Sequence, residues 1–138
     1  METEGLFAPD SRAEARTHYE TLAPASREVV RSVAKEMEFD NEEYDDRVTG
    51  EVIDTARKAL FSSLLEVYVG TRKEYQSWCA DNDSEEIVVG SDEVDNVVWH
   101  AAPFAETVVA ATFQHEREAA IGTLRRQAFG RIYSEVLE

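Results

Sequence analysis

A single cysteine in 138 residues excludes an internal disulfide. Cys79 follows Trp78 on a predicted helix, where a free thiol is expected to be a small core side chain. Lysine is nearly as scarce, since the 14 basic residues comprise 11 arginines and only Lys35, Lys58 and Lys73. Apolar runs such as Ala59 to Leu65 and Val108 to Ala111 stop well short of the ~20 residues that a membrane span needs. Met1 to Pro9 is acidic, without the basic region or apolar segment of a leader, so a cytoplasmic location and no membrane partner are expected. Also missing are G-x-S-x-G, G-x-G-x-x-G and G-x-x-x-x-G-K-[ST], so neither a nucleophile elbow nor a Gly-rich phosphate cradle is encoded locally, and no cofactor is expected.

What the chain has in abundance is negative charge: Asp and Glu number 29, for a net charge of −15. Affinity for nucleic acid comes mainly from cations that neutralise phosphates, so no nucleic-acid partner is expected. The carboxylates are spread along the chain, and such a surface repels itself at ordinary ionic strength. In multimolar salt the Debye length falls to about 3 Å or below and the repulsion is screened, so a halophilic protein in a salt-loaded cytoplasm is expected. With 43% hydrophobic residues the chain is too apolar to be disordered. It has no repeat and no Pro/Gly/Ser linker, so residues 1–138 read as one domain, with a helical half over about 1–66 and an α/β half over about 67–138.

Helix starts are marked three times by a capping residue with Glu three positions later: Ser11 with Glu14, Asp40 with Glu43, and Thr71 with Glu74. Behind the first, Ala15, Tyr19 and Leu22 share a face. Pro24 suits the first turn of a second helix, in which Val30, Val33 and Met37 recur at helical spacing and Arg27, Arg31 and Lys35 mark the wet side. The third stretch runs to about Leu65, with a break at Thr49 and Gly50, and carries Val52, Ala56, Leu60 and Leu64 on one side. In the second half, Val67 to Val69 predicts a short strand and Thr71 opens a helix over TRKEYQSWCA. Ile87 to Val89, Val97 to Ala101 and Val108 to Phe113 predict a strand meander. A helix from about Gln114 to Leu137 closes the chain and buries Ile121, Leu124, Ala128, Ile132 and Val136. The fold class is therefore α+β: N-terminal helices packed with a small, mostly antiparallel sheet covered on one face, and a long C-terminal helix.

Two acidic stretches invite a metal reading. In FDNEEYDD, Glu42 and Asp46 sit four apart on a helix face, but two carboxylates on an exposed turn do not supply the six or more oxygens of a hard-cation site. Negative charge at a helix start is sufficient reason for them. In DNDSEEIVVGSD, residues Asp81, Asp83, Glu85 and Asp92 imitate a calcium loop, yet Glu86 stands where glycine is needed and a strand should begin at Ile87. His18, His100 and His115 lie far apart and lack zinc-ligand spacing. No metal is expected and no catalytic residue is assigned. The pattern offers one alternative, a small-molecule or enzyme pocket near Trp99, His100 and Glu106: alternation along the strand sets Trp99 and His100 on opposite faces, so one of them should lie outside the core. Arg117, Arg125, Arg126 and Arg131 on the last helix form the only local excess of positive charge and are expected to pair with carboxylates of neighbouring helices or of a second subunit.

The segments METEGLFAPDSRAEAR, VTGEVIDTARKALFSSLLEV, VDNVVWHAAPFAETVVAATF and LRRQAFGRIY resemble a small acidic haloarchaeal protein family without assigned function, over nearly the whole chain from Met1 to about Leu137. The resemblance implies a salt-rich cytoplasm and carries over no site residue. The sequence thus points to a non-enzymatic protein-interaction domain, as a homo-oligomer or with another protein partner, the long C-terminal helix being the candidate interface.

Overall fold

The computed structural model describes residues 1–138. Its helical half comprises a short strand β1 (Glu2–Glu4), which the sequence reading misses, then helices α1 (Arg12–Thr21), α2 (Ala23–Glu36), α3 (Asn41–Arg47) and α4 (Gly50–Ser63). Ser11 and Asp40 cap α1 and α3 by accepting the amides of Glu14 and Glu43 at 3.0 and 2.8 Å. Glu14 reaches back to the Asp10 amide rather than that of Ser11, so the first box is not reciprocal. The expected break precedes Gly50: Val48 is extended (φ −92°, ψ 91°) and Thr49 caps α4.

One helix face differs from expectation. The buried lane of α2 is Ser26, Val30 and Ala34, whereas Val33 and Met37 are 52% and 57% exposed, together with Val29 at 43%. Both lanes recur at helical spacing, so period cannot choose between them. The small side chains of Ser26 and Ala34 suit the buried lane, and the Ser26 hydroxyl is satisfied by donating to the Leu22 carbonyl at 2.7 Å.

The α/β half comprises β2 (Val67–Thr71), α5 (Arg72–Asp81), β3 (Glu85–Val89), β4 (Asn96–Ala102), β5 (Thr107–Phe113) and α6 (Arg117–Ala128), then a π-helical turn (Phe129–Tyr133) and α7 (Ser134–Val136). Thr71 and Glu74 close a full capping box on α5. The sheet order is β1-β2-β4-β5-β3. Three pairings are antiparallel, but β3 pairs with β5 in parallel, Ile87 opposite Val109, so the expected meander is corrected.

That pairing changes the layering. β2 and β3 run in the same direction with β4 and β5 between them, and a parallel connection of this kind needs a crossover, which α5 supplies. The sheet is therefore covered on both faces and not on one. Its larger face joins the helices in a cluster of 17 buried residues that includes Phe61, Leu65, Val98, Val109, Leu124 and Tyr133. The other face packs Val97, Trp99, Val108 and Ala110 against Tyr75 of α5. Strands buried on both faces read as continuous apolar runs, as NVVWHAA and TVVAATF do.

The closing helix starts at Arg117, later than expected, and buries Ile121, Leu124, Ala128, Ile132 and Val136 as its periodicity requires. Its apolar side is thus spent inside the core. No helix is long and apolar enough to cross a membrane.

Candidate functional site

Trp99 and His100 leave β4 on opposite faces, yet both are buried, at 0% and 1% exposure. The expectation that one would lie outside the core fails because α5 covers the second face. Trp99 sits among Tyr68, Tyr75 and Trp78, with ring centroids 5.6, 5.2 and 6.3 Å away. Its indole Nε1 is buried without a partner. Glu106 joins neither residue. It follows a tight turn (Pro103–Ala105), adopts a left-handed conformation (φ 50°), keeps its side chain exposed and accepts the Glu85 amide on its carbonyl at 2.8 Å. The structure therefore does not assemble Trp99, His100 and Glu106 into one pocket.

His100 has partners on both nitrogens: Nδ1 lies 2.6 Å from the Glu66 carbonyl and Nε2 lies 2.7 Å from the Tyr133 hydroxyl. A carbonyl only accepts, so Nδ1 carries the proton, and Nε2 accepts from Tyr133. Burial, helped by the charge of Arg125 and partly opposed by the Glu66 carbonyl, lowers the imidazole pKa to about 4. Burial likewise raises the phenol of Tyr133. A neutral imidazole with both nitrogens engaged is available neither as base nor as acid. It fastens β4 to the residue ahead of β2 and to the π-turn. Beside it lies a cavity of about 130 Å³ lined by Asp10, Glu66 and Tyr68, but neither carboxylate bonds the ring. Sequence reasoning missed Tyr133 because regular helical spacing selects Ile132, and the π-turn admits both to the core.

The other singled-out residues lie apart. His18 stacks on Phe7 at 4.6 Å on α1, and His115 is exposed before α6. Asp40 is spent on its cap, and α3 carries Glu42, Glu43, Asp45 and Asp46 into solvent. In the calcium-like stretch, α5 ends at Asp81 and β3 begins at Glu85, which breaks up the loop. No group of three His, Cys, Asp or Glu side chains is arranged to hold a metal ion. Cys79 is half-buried, and burial raises its thiol pKa.

Charged side chains make a half-buried network around the buried Tyr19, absent from the sequence reading. The Tyr19 hydroxyl donates to Asp54 at 2.7 Å, Arg57 bonds the same oxygen at 3.0 Å, and the Arg57 guanidinium stacks 4.1 Å above the Tyr19 ring. The Tyr19 bond, then Arg57 and Lys58, hold the Asp54 carboxyl down to about 2. This network ties α1 to α4.

Of the four arginines expected to pair, only Arg117 does, with Glu2 at 2.6 Å, Glu4 at 3.2 Å and its neighbour Glu118 at 3.4 Å. Arg125 donates to the Leu65 carbonyl, Arg126 to the Thr123 hydroxyl and Arg131 to Gln127, so these three make no ion pair within the chain. The sequence model of a family described as being of unknown function, DUF5809, matches residues 6–134. No curated protein and no solved structure matches the chain.

Proposed function

The chain belongs to the DUF5809 family of unknown function, and on that premise we propose a halophilic, cytoplasmic, non-enzymatic domain that docks protein on the outer face of α2, first of all a second copy of itself. The observation that carries this reading is the lane of Val29, Val33 and Met37, three large apolar side chains at helical spacing and roughly half exposed. Surface apolar residues scattered singly need no explanation, but an aligned stripe does. Charge favours the same helix. Arg27, Arg31 and Lys35 offset Glu28 and Glu36, so two copies of a chain with net charge −15 repel less where each presents α2 than across its acidic stretches.

The sheet edges suit association less well. β1 is three residues long with Glu at both ends, and β3 opens on Glu85 and Glu86, charges that discourage edge-to-edge pairing. The engagement of both His100 nitrogens supports a role without catalysis.

Sedimentation equilibrium in concentrated KCl tests the interface. The wild type should associate beyond its 15.6 kDa chain mass. Val33→Asp should weaken that association at least tenfold, while Val88→Asp on exposed β3 leaves it unchanged. A wild type that stays monomeric at high concentration, or a Val33→Asp variant that associates as before, would sink the reading. The halophilic part predicts a melting temperature that climbs with added KCl, and a flat response would contradict it.

A further inference from the structure

A cleft of about 400 Å³ opens between α4 and α6, lined by Lys58, Ser62 and Ser63 on one side and Gly122, Arg125 and Arg126 on the other, with Phe129 of the π-turn also exposed to it. Three cations from two helices thus face one space in a chain of net charge −15. Neither arginine has a carboxylate within 4 Å, and Lys58 has only Asp54 at 3.3 Å. The Arg125 Nε donates to the Leu65 carbonyl at 3.0 Å, and its terminal nitrogens make no hydrogen bond. Arg126 folds back over Gly122, where an added Cβ would sit 3.4 Å from Nη1. Both serine hydroxyls donate to backbone carbonyls, Ser62 to Arg125 at 3.1 Å and Ser63 to Leu60 at 2.8 Å, so recognition falls to the cations. Arg125 is half-buried, and desolvation lowers its pKa, with Glu4 and Glu118 opposing from a distance. A partly desolvated cation without an ion pair is costly unless an anion completes it.

We propose that this cleft binds a small organic phosphate monoester, with its phosphate on Lys58, Arg125 and Arg126 and its apolar portion against Phe129. A phosphate dianion spreads its charge over three terminal oxygens and can meet three separated cations, whereas a carboxylate offers two oxygens and one charge. The volume fits such a ligand, lying in the lower part of the range of about 300–1,000 Å³ for small-molecule sites. The long-range field of the protein repels anions, so the site works at contact distance and its affinity is read at one fixed ionic strength.

The test titrates the full chain with inorganic phosphate, phenyl phosphate and, as uncharged control, benzyl alcohol at constant KCl, following heat and amide ¹H–¹⁵N shifts. Phenyl phosphate should saturate, bind several-fold tighter than inorganic phosphate, and move the amides of Ser62, Ser63, Gly122 and Arg126, while benzyl alcohol does neither. Arg126→Gln and Lys58→Gln should each weaken binding about tenfold. Gly122→Leu keeps every charge and improves helix propensity, and it should weaken binding as much by filling the cleft and displacing Arg126, with an unchanged urea midpoint as the check on its fold. Absence of saturation at millimolar phenyl phosphate would overturn the proposal, as would undiminished affinity in Arg126→Gln and Gly122→Leu. Equal affinity for the two phosphates would remove the contact with Phe129. The cleft does not use α2, so these outcomes are independent of whether the protein self-associates.

Discussion

Trp99 and His100 are neighbours in β4 that solve opposite problems on the two faces of one sheet. On the α5 side, Trp99 is packed by aromatic rings and carries an indole N–H without a partner. On the other side, His100 is equally buried but has both nitrogens bonded, by Glu66 and by Tyr133 of the π-turn. The first face is held by apolar area and tolerates one unmet donor. The second places a titratable group in the core and satisfies it completely. Burial of a polar side chain is therefore not a mark of chemistry here, and the surfaces that could recognise something lie outside both faces, on α2 and between α4 and α6.

The largest expected effect concerns the aromatic face. Trp99→Ala should cost about 3–5 kcal/mol in urea unfolding, because its surroundings collapse only partly into the space left. A loss below about 1 kcal/mol would mean that the α5 face is loosely packed. Next comes acid titration on the His100 face. The unfolded imidazole titrates near 6.5 and the folded one near 4. Between these values the unfolded chain binds a proton that the native state refuses, so stability is whole above about 6.5 and falls by up to ~3 kcal/mol as pH approaches 4. His100→Leu should flatten this slope, and an unchanged slope would remove His100 as its source. Asp54, lowered from 3.8 to about 2, loses its contribution as pH falls from about 4 toward 2, and so overlaps that window only at its acid edge.

Smaller effects separate the faces further. Tyr133→Phe strips the donor from His100 Nε2 and should cost about 1–3 kcal/mol, since it leaves a buried acceptor unmet. A neutral result would show that the bond is not what fastens the π-turn. Thr71→Ala opens the capping box of α5 and should cost about 1 kcal/mol, read as a shift in urea midpoint. A cost comparable with that of Trp99→Ala would imply that α5 holds its face through its cap and not through its aromatic rings.

Much of the fold was legible where local chemistry decides it. Ser11, Asp40 and Thr71 mark helix starts because their side chains must satisfy free amides nearby, and the buried lane of α6 follows from one dominant apolar period. Features set by distant pairing were not legible. The parallel partnership of β3 with β5 depends on the crossover through α5, and from it follow the second covered face and the burial of both Trp99 and His100. On α2 two lanes share one period, so only packing against the rest of the fold reveals which is dry. Tyr133 was hidden by the π-turn. Arg125 and Arg126 stood out as a local excess of charge, but Lys58, which meets them across the cleft, lies on a different helix far away in sequence.

The claim that the outer face of α2 is where this protein meets its partner can be located residue by residue. Amide hydrogen exchange in concentrated KCl, repeated over a range of protein concentrations, should show protection rising with concentration on α2 around Val29 to Met37 while α5 stays constant. Protection that rises on α5 or at a sheet edge, or that rises nowhere, would contradict the account.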